Sequence, residues 1–230
     1  MFSIVDNRLV YYHLTNKIWK RTIMKKPKNH PKFGLGIDWE TTGSDWDDPD
    51  GSHKKYQGIS FGAVVFDADT FEPIETLYRE LHFDTDKYKW SKEAEAIHGL
   101  SQEHLAKHGV SREEACVDLG ELIMKYWGPD GKPIFLGHNA DFDVKFTNQL
   151  LTDHGLPPLK KHHVVLDTSS TGFITLGLYK SDNLFERLGF KARDAHNALE
   201  DILMTLETCK IIKGLMTFAM NEFYGESNEL

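Results

Sequence analysis

The stretch Phe33–Gly43, FGLGIDWETTG, decides how the rest of the chain is read. FGLGIDWE, Phe33 to Glu40, is too short and too apolar for an amphipathic helix and predicts a buried strand. TTGSDWDDPDGSHKKYQG follows as a long polar loop with turn-forming residues. ISFGAVVFDAD then predicts a second strand ending in a turn, and TLYRELHFD a third. Three strands in succession imply an antiparallel meander. From Ser91 onward helical patterns take over. SKEAEAIHG is short. SREEACVDLGELIMKYWG places Ala115, Leu119, Leu122, Ile123 and Tyr126 at helical spacing, with Ser111 and Glu114 as a capping box. KPIFLGH predicts a short buried strand, and ADFDVKFTNQLLTDHG a helix with Phe142, Phe146 and Leu150 on one stripe and Gly155 at its stop. HHVVLDT predicts another strand and NALEDILMTLETCKIIKGLMTF a long helix. The fold class expected is α/β, a mixed sheet with helices packed on it.

Side chains alternate faces along a strand, so Asp38 and Glu40 point the same way while Ile37 and Trp39 point the other. Two neighbouring carboxylates repel, and holding them partly buried is costly unless a cation shares them. A hard divalent ion with a preference for oxygen ligands resolves this. An isolated Asp-x-Glu at a strand end is common and carries little weight. Three further features lie elsewhere in the chain. Thr41, Thr42 and Gly43 form a turn whose backbone amides are expected to be free for a ligand. Asp143 falls in the first turn of the helix after PIFLG, where the helix dipole favours a carboxylate. His196 stands at the mouth of the last helix with Asp201 five residues on.

GIDWETTG, GHNADFD and HNALED together resemble the three motifs of the DEDDh (DnaQ-like) 3′–5′ exonuclease family, in its order and roughly its spacing. That family includes polymerase proofreading subunits, RNase T and TREX-type exonucleases. AEAIHGL, residues 94–100, is similar to the family's HG-containing segment, and Asp167-Thr168 to its DT pair. The likeness covers about residues 33–210. His196, five before Asp201, places the chain in the His branch; Asn197 stands where the other branch has Tyr.

The resemblance implies a ribonuclease-H-like fold, with a central mixed five-stranded sheet and helices on both faces. It also implies two-metal hydrolysis of a phosphodiester. By that likeness Asp38, Glu40, Asp143 and Asp201 hold two divalent ions, Mg²⁺ or alternatively Mn²⁺, and His196 is the general base. Thr41, Thr42 and Gly43 lie beside the terminal 3′-hydroxyl. Ala94, Ile97 and Phe142 offer the last base an apolar surface, and His98 lines the same pocket. Phe142 reads equally well as plain core, given its spacing to Phe146. His138 and Asn139 read as fixing the strand-to-helix turn.

The implied domain organisation is a basic N-terminal extension over 1–32, an exonuclease domain over 33–224 and a tail over 225–230. Lys17 to Lys32 holds seven basic residues and no acidic one, and reads as a solubilising tail or as an arm for phosphates or a partner. Asp45, Asp47, Asp48 and Asp50 read as a solvated loop, with exclusion of duplex as the sharper alternative. Asp194 reads as a helix-entry residue.

The bulk properties are compatible with this reading. The 230 residues are 40% hydrophobic and carry a formal net charge of −8. That acidity argues against a protein that coats nucleic acid, since such binders neutralise phosphates over a broad surface. A nuclease needs positive charge only locally. No run is apolar enough for a membrane span, and the N-terminal stretch has no signal-peptide pattern. Cys116 and Cys209 are too few and too far apart for a disulfide framework or a CxxC metal site, and fit two reduced thiols in a cytoplasmic protein. The expected partner is a single-stranded 3′ end, DNA favoured over RNA. The alternatives are an exoribonuclease, a proofreading accessory docked on a DNA polymerase or other replication protein, and an inactive binder.

Overall fold

The computed structural model describes residues 30–44, 55–191 and 196–225. The basic residues from Lys17 to Lys28, the acidic residues 45–50, Asp194 and the segment after Gly225 lie outside the described residues. The strands are β1 (Phe33–Thr41), β2 (Lys55–Tyr56), β3 (Gly58–Asp67), β4 (Pro73–Glu80), β5 (Tyr88–Lys89), β6 (Ile134–Gly137) and β7 (Val165–Asp167). The helices are α1 (Lys92–His98), α2 (Gln102–His108), α3 (Arg112–Trp127), α4 (Ala140–Asp153), α5 (Thr168–Leu176), α6 (Ser181–Arg187) and α7 (Ala198–Gly225). Lys32–Ile212 forms one compact unit; the part of α7 from Lys213 onward belongs to another.

β1 runs through the middle of a five-stranded sheet in the order β4-β3-β1-β6-β7. The meander expected from the sequence is present: β1 pairs antiparallel with β3, and β3 with β4. On its other side β1 runs parallel to β6, and β6 parallel to β7. The sheet is therefore mixed, as a fold of this class requires.

Strand alternation divides the core in two. Leu35, Ile37 and Trp39 of β1 join Phe61, Ala63 and Val65 of β3 on one face. Ala115, Leu119 and Leu122 of α3 and Phe146 and Leu150 of α4 cover them. On the other face Val64, Phe66 and Leu136 pack against Ile202 and Leu206 of α7. The expected stripe on α3 holds, with Cys116 added to its buried side and Ile123 and Tyr126 packed at the margin.

Several elements differ from the sequence reading. The strand expected over HHVVLDT begins only at Val165 and stops at Asp167, whose side chain accepts from Ser170 N and starts α5 at once. Helices α2, α5 and α6 have no counterpart in the sequence reading, nor does the two-stranded pairing of β2 with β5.

Candidate active site

β1 and β6 do not run side by side to the end. Their pairing covers only Gly34 to Gly36 of β1, so beyond that point β1 has no strand on its β6 side among the described residues. The carboxyl ends of parallel strands are where such sheets leave a crevice for ligands. Here the crevice is entered by the first turn of α4. Trp39 N donates to Oδ1 of Asp143 at 3.1 Å, a bond between residues 104 apart in sequence. Trp39 Nε1 donates to Thr147 Oγ1 at 3.0 Å, which fixes the rotation of the helix against the strand.

Two glycines make the close approach feasible. Gly137 ends β6, and a Cβ there would meet Ala140 Cα at 2.9 Å and Asp143 Oδ2 at 3.1 Å. Gly62 pairs with Asp38 across the β1–β3 ladder. A Cβ on Gly62 would meet the backbone of Leu199 at 2.3 Å, so only glycine lets the first turn of α7 lie against the sheet beside Asp38.

That close packing brings the third segment in. Glu40, His196 and Asp201 each offer a ligand atom, and the three atoms lie within 4.8 Å of one another. His196 Nδ1 stands 3.5 Å from Asp201 Oδ2. Glu40 and Asp201 are 8% and 6% exposed, while Asp38 is half-buried. Asp143 is 2% exposed. Its carboxyl is pushed well above the ordinary carboxylate range, by burial first and then by the negative charge of Asp38, against a smaller opposing pull from the Trp39 amide. Its Oδ2 has no hydrogen-bond partner among the described residues. A buried carboxylate oxygen with no donor, beside further carboxylates, suits a hard cation better than any side chain present. The donor set therefore fits divalent metal.

α1 is tied to this cluster at both ends. Ser91 N donates to Thr42 O at 2.8 Å, and His196 N donates to Ile97 O at 3.3 Å. Ala94, Ile97 and His98 thus stand beside His196 and the Thr41–Gly43 turn. Ile97 is 56% exposed, an apolar side chain open to solvent next to charged groups. His98 is buried. Its Nδ1 accepts from Leu100 N at 3.0 Å, which assigns the proton to Nε2. Burial holds its pKa below the ordinary value, with Glu95 opposing and His196 reinforcing that shift. Trp90 presents its ring edge-on to His98 at 6.1 Å.

Phe142 adjoins Asp143, is half-buried, and packs on Phe146 with ring centroids 4.9 Å apart. His138 bonds Thr168 Oγ1 through Nδ1 at 2.9 Å, and Asn139 adopts φ 63°, so the pair does shape the strand-to-helix turn. Asp167 completes that turn by accepting from Ala140 N at 2.9 Å.

One expectation is corrected. The Thr42 amide is not free: it donates to Gln57 O at 2.9 Å, because pairing with the β3 side continues past Glu40 through a bulge. Thr42 is fully buried, and its Oγ1 donates to Lys89 O at 2.7 Å and accepts from Gln57 N at 2.9 Å. Thr42 is a junction between β1, β2 and β5. Gly43 is buried under Tyr56, whose ring a Cβ would strike at 2.3 Å. The sequence reading missed Tyr56, Gln57 and Gln149 as supports of the turn. Nothing local marks them, since their partners lie up to 93 residues away.

A family model described as RNase_T, Exonuclease, matches residues 35–209. The chain belongs to this exonuclease family. Its members are divalent-metal-dependent nucleases, and the matched residues contain all four carboxylates and His196. No curated protein matches the sequence. Among solved structures, the nuclease domain of 3′hExo, a DEDDh family member bound to rAMP, superposes with a TM-score of 0.63. It shares 15% identity, over 82% of this chain and 94% of that one. E. coli exonuclease I in a zinc-bound complex with single-stranded DNA gives a TM-score of 0.67 at 17% identity, over 85% of this chain and 42% of that one. The complex of the same enzyme with a dT13 oligonucleotide gives 0.67 at 17%, over 83% and 43%. The chain thus spans less than half the length of exonuclease I. At these identities the superpositions speak for a shared α/β fold. No helix among the described residues is long and apolar enough to cross a membrane.

Proposed function

We propose that the chain is a 3′–5′ exonuclease that removes nucleoside 5′-monophosphates from single-stranded nucleic acid, with DNA preferred over RNA. The observation that carries this reading is the convergence of Asp38, Glu40, Asp143, Asp201 and His196 at the open carboxyl end of β1. Two divalent cations, Mg²⁺ or alternatively Mn²⁺, would supply stabilisation of the attacking and leaving oxygens of an in-line displacement. Asp38, half-buried on β1 and acting electrostatically on Asp143 of α4, would help hold them. Glu40, Asp201 and Asp143, the last through its Oδ2, would be the further carboxylates that hold the metal.

His196 sits at the rim of the cluster and takes the proton from the attacking water; imidazole is the side chain whose basicity suits that role at neutral pH. The terminal nucleotide rests between the exposed Ile97 with Ala94 on α1 and Phe142 on α4. Apolar and aromatic surfaces hold any base without reading its edges, as an enzyme indifferent to sequence needs. The Thr41–Gly43 segment, by the family likeness, would lie beside the terminal sugar. His98, with its proton on Nε2, offers a donor in the same pocket, while Thr42 acts there as a support.

The test is incubation of 5′-labelled single-stranded DNA and matched RNA with the protein in Mg²⁺ and in EDTA. A ladder that shortens from the 3′ end only with metal is expected, faster for DNA. No shortening of either strand in Mg²⁺ or Mn²⁺ would sink the reading.

A further inference from the structure

β1, β6 and β7 run parallel, so the segments that follow them leave the sheet at one end and in sheet order. After β1 comes the Thr41–Gly43 turn, after β6 the first turn of α4 with Asp143, and after β7 the helix α5. Neighbouring strands stand about 4.8 Å apart, so α5 begins roughly 10 Å from the line of β1. It is tied into the same crevice: Asp167, which caps α5, also accepts from Ala140 N at 2.9 Å, and Thr168 Oγ1 bonds His138 at 2.9 Å. α5 carries Phe173 and Ile174 into solvent, 63% and 82% exposed, and Tyr179 just beyond it is 58% exposed. The three are fixed relative to one another. Gly177 N donates to Phe173 O at 3.1 Å and Leu178 N to Gly172 O at 3.2 Å. Gly172 is packed so closely that a Cβ would meet Leu178 O at 2.6 Å and Leu184 Cδ2 at 3.0 Å, which clamps α5 against α6. The Tyr179 backbone is hydrogen-bonded to the His138 ring, at the turn that leads into Asp143.

Cations accompany these side chains. Lys180 opens α6, Arg187 ends it, and Lys191 stands five residues before His196. Among the described residues no ion pair or side-chain hydrogen bond engages any of the three. α6 also exposes Asp182 and Glu186, so the surface carries a small excess of positive charge, in a chain whose net charge is −8. Aromatic rings open to solvent, with unengaged cations beside them, match bases that stack and phosphates that need neutralising. They match a protein partner less well, since charged residues are depleted where such interfaces bury their core. The distance from β1 to α5 corresponds to about three stacked nucleotides at about 3.4 Å each.

We propose that the surface formed by α5, Tyr179 and α6 binds the single strand on the 5′ side of the bond to be cut. Phe173 and Tyr179 stack on its bases, and Lys180, Arg187 and Lys191 meet its phosphates. The proposal rests on the exonuclease reading, and the experiment separates the two. Three double variants are compared with the parent chain: Phe173→Ala with Tyr179→Ala, Phe173→Tyr with Tyr179→Phe, and Lys180→Gln with Lys191→Gln. The substrates are a 5′-labelled thymidine dodecanucleotide and thymidine 5′-(p-nitrophenyl phosphate), which is too small to reach α5. KM for the dodecanucleotide rises about tenfold in the alanine pair, with kcat level, and stays within about twofold of the parent in the pair that keeps both rings. In the glutamine pair the dependence of log kcat/KM on log salt becomes shallower by roughly 0.7 for each phosphate no longer neutralised. Hydrolysis of the nitrophenyl ester persists in all three and reports the intact fold. An unchanged KM in the alanine pair and an unchanged salt slope in the glutamine pair, in chains that cleave both substrates, would overturn the surface and leave the exonuclease reading standing. A dimer of the parent that the alanine pair loses in sedimentation, with KM unchanged, would assign the patch to a second copy and overturn the proposal likewise. If the parent cleaves neither substrate, the exonuclease reading fails, and fluorescence anisotropy with the labelled dodecanucleotide in EDTA decides the surface. Weaker binding by the alanine pair then supports it, and equal affinity overturns it.

Discussion

Against α3 and α4 the central sheet presents Leu35, Ile37, Trp39, Phe61, Ala63 and Val65, all closed to solvent. Against α7 it presents Val64, Phe66 and Leu136, and where β1 would extend that apolar row it carries Asp38 and Glu40 instead. One strand thus supplies packing on one face and chemistry on the other, two residues apart throughout. Each fully buried aliphatic or aromatic side chain on the first face is worth about 1.5–3 kcal/mol. The second face gives up part of that gain to hold like charges together. The broad face carries the stability that the narrow face needs in order to keep its carboxylates crowded.

The comparison can be broken most directly at Asp201. Asp201→Asn is expected to lower hydrolysis of a single-stranded oligonucleotide by about 10³-fold. The thermal midpoint in chelator should stay level or rise, since one of several crowded negative charges is gone. A variant that stays active, or that melts much earlier, would show that the narrow face is structural after all. Gly62→Ala tests the same face without touching a functional group. The added methyl must displace the start of α7, and a shift on the order of 1 Å at a catalytic group costs about 10²-fold in rate. Its stability cost, read by urea unfolding, should be about 1–3 kcal/mol.

Leu119→Ala, on the broad face, should do the reverse. It is expected to cost about 2–5 kcal/mol in urea unfolding while kcat/KM, measured well below the melting range, changes less than about twofold. Equal losses of rate in Leu119→Ala and Gly62→Ala would end the division between the faces.

The smallest effect is expected at Asp153, which belongs to neither face. Burial alone would raise its carboxyl; the bonds from Lys87 and Tyr88 and the charge of Arg112 outweigh it and hold it below its ordinary value in the folded chain. A lowered folded pKa contributes stability that is complete above the unfolded carboxylate value of about 3.9 and is lost as pH falls through the folded value. Asp153→Asn should therefore lower the melting temperature by a few degrees at neutral pH, and the gap to the parent chain should close as the solution is acidified toward and below that range. A gap that widened on acidification would contradict the assignment.

The alternation that creates the two faces is legible in FGLGIDWE, because a period of two needs only neighbouring residues. The three carboxylate segments are legible for the same reason: each is short and contiguous. What joins them is not. The bond from Trp39 N to Asp143 arises because β6 stops early, and no pattern within PIFLG announces where its pairing with β1 ends. The Thr42 amide escapes a local reading because a bulge after Glu40 keeps the chain paired toward Gln57. α5, TSSTGFITL, is rich in β-branched and small residues and has weak intrinsic helix preference. It forms because the Asp167 side chain caps it and Gly177, at φ 71°, closes it. The residue-poor pairing of β2 with β5 depends on Thr42 and Gln57 rather than on its own length.

The bond between Trp39 and Asp143 has a further consequence during synthesis. The three segments of the cluster leave the ribosome far apart in time, the β1 carboxylates first, Asp143 roughly a hundred residues later and Asp201 last. Until α7 has emerged and docked against Gly62, a growing chain has strands, a partial core and two of the three segments, but no complete cluster. A chain that ends before α7 therefore lacks Asp201 and a complete cluster, and the full set of carboxylates comes together only with the finished fold.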